Sequence, residues 1–123
     1  MDPRVIQLVA DFLRDKGFDM NQGMKYPYGA TMLHYAMSNK FRPDLVELLI
    51  ALRPEYVEFK MYYRNTPLYW AAEYDNVEGA KILLRHGANV NAKCEDGKTA
   101  LARASQLGHS KIAEFLKMNG GHE

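Results

Sequence analysis

The side chains in this sequence that could do chemistry are few and do not converge. A catalytic or metal site needs several such groups at set spacings, and the histidines are His34, His86, His109 and His122. None stands at a metal-ligand spacing from the single cysteine, Cys94, which has no histidine near it in sequence. Cys94 therefore reads as a bystander thiol rather than a nucleophile. Glu73 and Asp75 are close together, but a carboxylate pair at a helix end is ordinarily a solvated terminus. The glycines form no phosphate-cradling loop after a strand. These residues predict no enzyme, no cofactor and no metal.

The chain is richer in side chains that bind without bond-making. It holds eight tyrosines and one tryptophan. Tyr62 and Tyr63 are adjacent, while the spacing of Trp70, Glu73 and Tyr74 sets the three on neighbouring turns of one helix. Exposed rings of this kind cover a large area at a small loss of rotamer freedom, which makes them the usual anchors of protein interfaces. Their worth depends on the elements that present them.

Bulk properties narrow those elements to one ordinary domain. The chain has 123 residues, 47% apolar and 25% charged, with 16 basic and 15 acidic side chains interspersed for a net charge of +1. That balance offers no basic stripe to neutralise a phosphate backbone, so no nucleic-acid partner is expected. The apolar stretch from Val5 to Leu13 is broken by Gln7 and Asp11 and lacks the length and charge order of a secretion signal. No run approaches the ~20 apolar residues of a membrane span. One cysteine excludes an internal disulfide framework and fits a reducing compartment, the cytoplasm or, in a eukaryote, the nucleus.

Laying the chain against itself shows how it is organised. Thr31-Met32-Leu33-His34-Tyr35-Ala36, Thr66-Pro67-Leu68-Tyr69-Trp70-Ala71 and Thr99-Ala100-Leu101-Ala102-Arg103-Ala104 fall into register. Each runs on to a second apolar stretch: Leu45-Val46-Glu47-Leu48-Leu49, Ala80-Lys81-Ile82-Leu83-Leu84, and Ala113-Glu114-Phe115-Leu116. In the middle unit Thr66 can cap a short helix that tolerates Pro67 in its first turn. Ala71 and Ala72 keep that helix thin, and Asp75-Asn76 starts a second helix with a broad apolar face. Gly87 ends it, and Asp96-Gly97 marks a tight turn of the β-hairpin kind. A unit of helix, turn, helix and projecting hairpin cannot bury its own apolar faces, so units must stack.

Thr66-Pro67-Leu68 with Ala71-Ala72, and Leu83-Leu84-Arg85-His86-Gly87-Ala88-Asn89-Val90-Asn91-Ala92, closely resemble the ankyrin-repeat signature. The resemblance implies an all-α solenoid of stacked helix-turn-helix units with projecting β-hairpin loops. Residues 1–25 read as an N-terminal capping half repeat, 26–60 as repeat 1, 61–93 as repeat 2 and 94–121 as a C-terminal capping repeat. In the half repeat Val5, Leu8, Val9, Phe12 and Leu13 follow one helical face, and Gly17 supplies the stop. Repeat 1 departs from the pattern, with about two extra residues and Arg53-Pro54 in place of the usual glycine. Ser105 and Lys117 replace Ala72 and Leu84 of the middle repeat, a polar outer face that reads as the end of the array. His34 stands where the family's repeat-opening histidine makes a local hydrogen bond.

Family resemblance also implies a place for binding, the concave face formed by hairpin tips and the first helix of each pair. Tyr26, Tyr28, Tyr62 and Tyr63 map to hairpins, and Tyr35, Tyr69, Trp70 and Tyr74 to first helices. Tyr35, Tyr69 and Trp70 serve equally well as fillers between repeats, Tyr69 in the place of the structural histidine. The site expected from this reading is an aromatic groove of Tyr28, Tyr35, Tyr62, Tyr63, Trp70, Glu73 and Tyr74. Its polar extension is Asn65, Lys93, Glu95, Asp96, Lys98 and Gln106. Through it the chain is expected to bind another protein, as a monomeric inhibitor or neutralising protein. The alternatives are an adaptor, or a self-associating structural protein such as a homodimer.

Overall fold

The computed structural model describes residues 30–123 together with Pro3, Arg4, Gln7, Leu8, Asp11 and Arg14, all six of them helical. Three helix pairs follow in order: α1 (Met32–Ser38) and α2 (Pro43–Leu52), α3 (Pro67–Glu73) and α4 (Val77–Arg85), α5 (Ala100–Leu107) and α6 (Ser110–Met118). The inner helices α1, α3 and α5 pack side by side, and so do the outer helices α2, α4 and α6. Short 3₁₀ turns at Pro54–Glu58 and Tyr62–Arg64 lie in the link between the first two pairs. Among the described residues no helix is long and apolar enough to cross a membrane.

Each inner helix starts the same way. Thr31, Thr66 and Thr99 are extended N-cap residues whose hydroxyls accept from the backbone N–H of His34, Tyr69 and Ala102 respectively. All three threonines are buried, so the caps satisfy amides that no water reaches. The inner helices can lie close because Ala36, Ala71, Ala72 and Ala104 are fully buried at their contacts. One contact is closer still: a Cβ on Gly79 would come within 2.5 Å of the Met37 sulfur, so α4 approaches the first repeat only because that residue is glycine. The stack then closes over one continuous core that runs from Met32 and Leu33 to Ile112 and Leu116.

The turn between the two helices of a pair demands a left-handed residue in every repeat. Lys40, Asp75 and Gly108 occupy equivalent places with φ of 49°, 55° and 76°. Only the third repeat meets the demand with glycine. The projecting loops repeat as well: Met61 N–H donates to the Asn65 carbonyl and Cys94 N–H to the Lys98 carbonyl, each at 3.0 Å. At the first tip Tyr63 and Arg64 have φ of 62° and 60°, where the second has Gly97 at 78° for Arg64. The hairpins are tight turns without a ladder, and none of the described residues lies in a strand.

The irregularity expected in repeat 1 is confined to its exit. After α2, Arg53 is extended at φ −139° and the chain enters the Pro54–Glu58 turn, which buries Tyr56 and Val57 in the core. The second and third repeats leave instead through Gly87 and Gly120, at φ 88° and 87°. Of the expected half repeat, Val5, Val9, Phe12, Leu13 and Gly17 lie outside the described residues, as do Tyr26 and Tyr28. Leu8 is 68% exposed.

A left-handed L-residue costs about 1–2 kcal/mol, of which glycine's greater unfolded-state entropy returns part. Lys40→Gly is therefore expected to stabilise the fold by roughly 0.5 kcal/mol, and Gly87→Ala to destabilise it by roughly 1 kcal/mol. Urea unfolding of the two variants checks the opposite signs.

Candidate functional site

The concave surface is built from repeat-equivalent rows. Tyr35, Trp70 and Arg103 occupy one position on α1, α3 and α5, while Glu73 and Gln106 share another and Asn65 and Lys98 a third at the loop edge. Rings in the first row touch: the centroids of Tyr35 and Trp70 are 6.1 Å apart and nearly perpendicular, and Tyr74 lies 5.9 Å from Trp70, tilted by 55°. Trp70 is half-buried and Tyr74 is 45% exposed. Asn65, Tyr69, Trp70, Glu73, Tyr74 and Arg103 line a groove of about 260 Å³.

Behind the groove, His34 locks loop to helix. Its Nε2–H donates to the Asn65 carbonyl at 2.9 Å, which leaves Nδ1 to accept from the Thr31 N–H at 3.1 Å. The ring is fully buried and meets Trp70 edge-on at 5.6 Å. Burial pushes the His34 pKa down to about 4, against the pull of the Asn65 carbonyl. A second proton would sit on Nδ1, facing an N–H donor. The imidazole is thus a neutral bracket, the structural role its position implies.

Tyr69 takes the same place one repeat on. Its phenol lies beside the Cys94 thiol, and burial with that neighbour pushes its pKa up to about 12. Its half-buried ring also lines the groove.

At the other end of the groove a polar network crosses from α3 to α5. Arg103 donates to both carboxylate oxygens of Glu73, through Nε to Oε2 and through Nη2 to Oε1, the latter at 2.8 Å. These bonds hold the Glu73 carboxyl below its ordinary range, opposed by burial, and raise the Arg103 pKa further. Gln106 Oε1 then accepts from Arg103 Nη1 at 3.1 Å and from Lys98 Nζ at 3.2 Å. Glu73, Lys98 and Gln106, expected at the site, are brought together by Arg103, which was not. The signal for Arg103 is present in the register, since it stands exactly one repeat after Trp70 in the same row.

The tips lie alongside one another, with Glu95 N–H donating to the Tyr63 carbonyl at 2.8 Å. Tyr62 and Tyr63 are 62% and 69% exposed on the first tip. Lys93, Glu95 and Asp96 are exposed on the second loop, and they, Lys98 and Gln106 all stand outside the lining of the groove. Tyr28 lies outside the described residues. A wider hollow of about 440 Å³ is lined by Ala104, Gly108, His109, Ala113 and Lys117 among others, with no tyrosine, tryptophan or phenylalanine. No group of histidine, cysteine and carboxylate side chains suited to a metal occurs among the described residues.

A family model of ankyrin repeats in three copies matches residues 5–94 and 33–123. The chain belongs to the ankyrin-repeat family. Similar proteins include a putative ankyrin repeat protein of Rickettsia bellii, 36% identical over 61 residues, which is 50% of this chain and 36% of that one. Inversin of Canis lupus familiaris is 34% identical over 71 residues, 58% of this chain and 7% of its own length. The nuclear factor NF-kappa-B p105 subunit of Mus musculus is 34% identical over 93 residues, 75% of this chain and 10% of its own. The chain thus spans about a third or less of the relatives it matches. Ankyrin repeats generally mediate protein–protein interaction and are generally non-enzymatic.

The neutral bracket makes ankyrin-repeat stacking sensitive to acid. An unfolded chain protonates its histidine near pH 6.5 and the folded one near 4, so stability is fully present above 6.5 and declines as pH falls toward 4. The loss from His34 is on the order of 3 kcal/mol across that interval. His34→Gln, less stable at neutral pH, is expected to show a shallower decline over the same interval in urea unfolding measured at successive pH values.

Proposed function

We propose that this protein is a non-catalytic binding module that occupies a partner protein's surface through its concave groove and thereby inhibits or neutralises the partner. The observation that carries the reading is the ring cluster of Tyr35, Trp70 and Tyr74 beside the Glu73–Arg103 pair, with two further tyrosines exposed on the adjoining tip. Half-buried rings bordered by a fixed polar network resemble the centre and rim of a protein interface. A partner covering Tyr74, Tyr62 and Tyr63 removes large apolar area from water. The structural cost is already met, because His34 and Arg103 hold the floor in place before binding.

Two other uses of the same patch are an adaptor, which needs a second partner surface, and a homodimer through the rings. A cytoplasmic setting suits the single reduced cysteine, buried in the second loop. Light scattering across concentrations separates self-association from a monomeric binder, and a ternary complex on one copy marks an adaptor. Inhibition appears as loss of the partner's own activity at stoichiometric addition.

The decisive comparison is affinity capture by the native protein and by a Tyr62→Ala, Tyr63→Ala, Tyr74→Ala variant. These side chains are exposed, so the variant is expected to keep its thermal midpoint within a few degrees. It is expected to lose the captured partner by tenfold or more, from about 1–2 kcal/mol for each anchoring ring. A partner retained by the folded variant overturns the concave reading.

A further inference from the structure

The polar end of the groove indicates what chemistry a partner brings, an inference that rests on the binding role of that groove. Lys98, at the foot of the second loop, and Arg103, on α5, both donate to the one oxygen Oε1 of Gln106, at 3.2 and 3.1 Å. Two cations on one neutral acceptor lie within about 6 Å of each other and repel. Glu73 offsets only Arg103, which occupies both its carboxylate oxygens. No carboxylate pairs with Lys98 among the described residues. Of three ammonium donors and five guanidinium donors, Lys98 commits one and Arg103 three. Donors therefore remain on both, and both are half-buried; Arg103 lines the groove beside Trp70 and Tyr74, and Lys98 is joined to it through Gln106.

We propose that this end of the groove takes the side-chain carboxylate of an acidic residue in a partner segment, with an adjoining aromatic residue packed on Trp70 and Tyr74. The carboxylate bridges Lys98 and Arg103 and relieves their repulsion without breaking a bond already made. A partner's lysine or arginine held by Glu73 against Trp70 is the opposite arrangement, and it brings a third cation beside Arg103 and Lys98. Charge complementarity therefore selects an acidic segment.

The test is an NMR titration of the whole ¹⁵N-labelled chain, following the Trp70 indole and the amides of Lys98, Arg103 and Gln106. The probes are N-acetyl-aspartyl-phenylalanine amide, its asparaginyl and lysyl counterparts, and inorganic phosphate. The aspartyl probe is expected to give saturable shifts at these positions that weaken with added salt, and the asparaginyl and lysyl probes to give much smaller ones. Lys98→Met is expected to weaken the aspartyl probe about fivefold, and Glu73→Gln, which frees Arg103, to tighten it about fivefold. Tighter binding of the lysyl probe, or weaker aspartyl binding in Glu73→Gln, overturns the proposal. Equal shifts with all three peptides retain the groove as a protein-binding site and overturn its acidic preference. Phosphate shifts equal to those of the aspartyl probe reduce the site to a plain anion site and overturn the partner assignment. No shift with any probe overturns this proposal, while the groove reading stands or falls on the capture comparison.

Discussion

The structure depends on one hydrogen bond repeated between neighbouring units. Asn76 Nδ2 donates to the Met37 carbonyl at 3.1 Å, and one repeat later His109 Nδ1 donates to the Ala72 carbonyl at 2.9 Å. Met37 and Ala72 are equivalent positions near the ends of α1 and α3, where carbonyls fall outside the regular helix ladder, Ala72 accepting locally a long 3.4 Å bond from the Asp75 N–H. Each bond thus satisfies a buried acceptor and ties the start of an outer helix to the inner helix of the preceding unit. Apolar packing alone would let units slide, whereas a directional bond to one carbonyl sets the register. With the register set, Tyr35, Trp70 and Arg103 fall in line, and the concave rows follow.

Most of this architecture is legible in the sequence because it is written several times. Thr31, Thr66 and Thr99 announce the inner helices, and Asn76 and Gly87 bound α4 in the sequence as they do in space. The loops were harder to read. Asp96-Gly97 gives the tight turn correctly, but the absence of a ladder depends on how few backbone pairs each loop can form. Position rows align Tyr35, Trp70 and Arg103, yet the pairing of Arg103 with Glu73 across α3 and α5 is not contained in them. A diagonal contact between two rows requires the inter-helix distance as well as the register. Lys93, Glu95 and Asp96 show the converse limit: a loop residue can map to the concave side and still lie outside the lining of the groove.

At the second repeat backbone strain and exposed aromatic surface occur together, whereas Lys40 of the first repeat is left-handed with no exposed ring beside it. Tyr63 and Arg64 hold left-handed conformations at the first tip, and Asp75, next to Tyr74, holds another with a buried side-chain oxygen that has no partner. Glycine would relieve all three, as Gly97 and Gly108 do one repeat later. Each such outlier costs of order 1–3 kcal/mol, a burden that the surrounding fold must offset. The third repeat has the relaxed turns and few exposed rings, the second the strained turns and most of the aromatic surface. This division supports the view that side chains at the second repeat answer to a demand other than folding.

The two faces of the stack differ in a way that bears on how such a protein acts. On the outer side Glu47 spends both oxygens within the chain, on Arg85 at 2.9 Å and His86 at 2.7 Å, and Glu78 pairs with Lys81. These exposed pairs add little stability, but they reduce the uncompensated charge on that surface. Its large apolar exposures are isolated aliphatic side chains such as Met118, whereas Tyr62, Tyr63 and Tyr74 are exposed on the concave side. The concave side also keeps uncommitted donors on Lys98 and Arg103. An adaptor requires two surfaces of comparable binding quality. Among the described residues the exposed tyrosines gather on one face, and it is on that asymmetry that the covering mode proposed above rests.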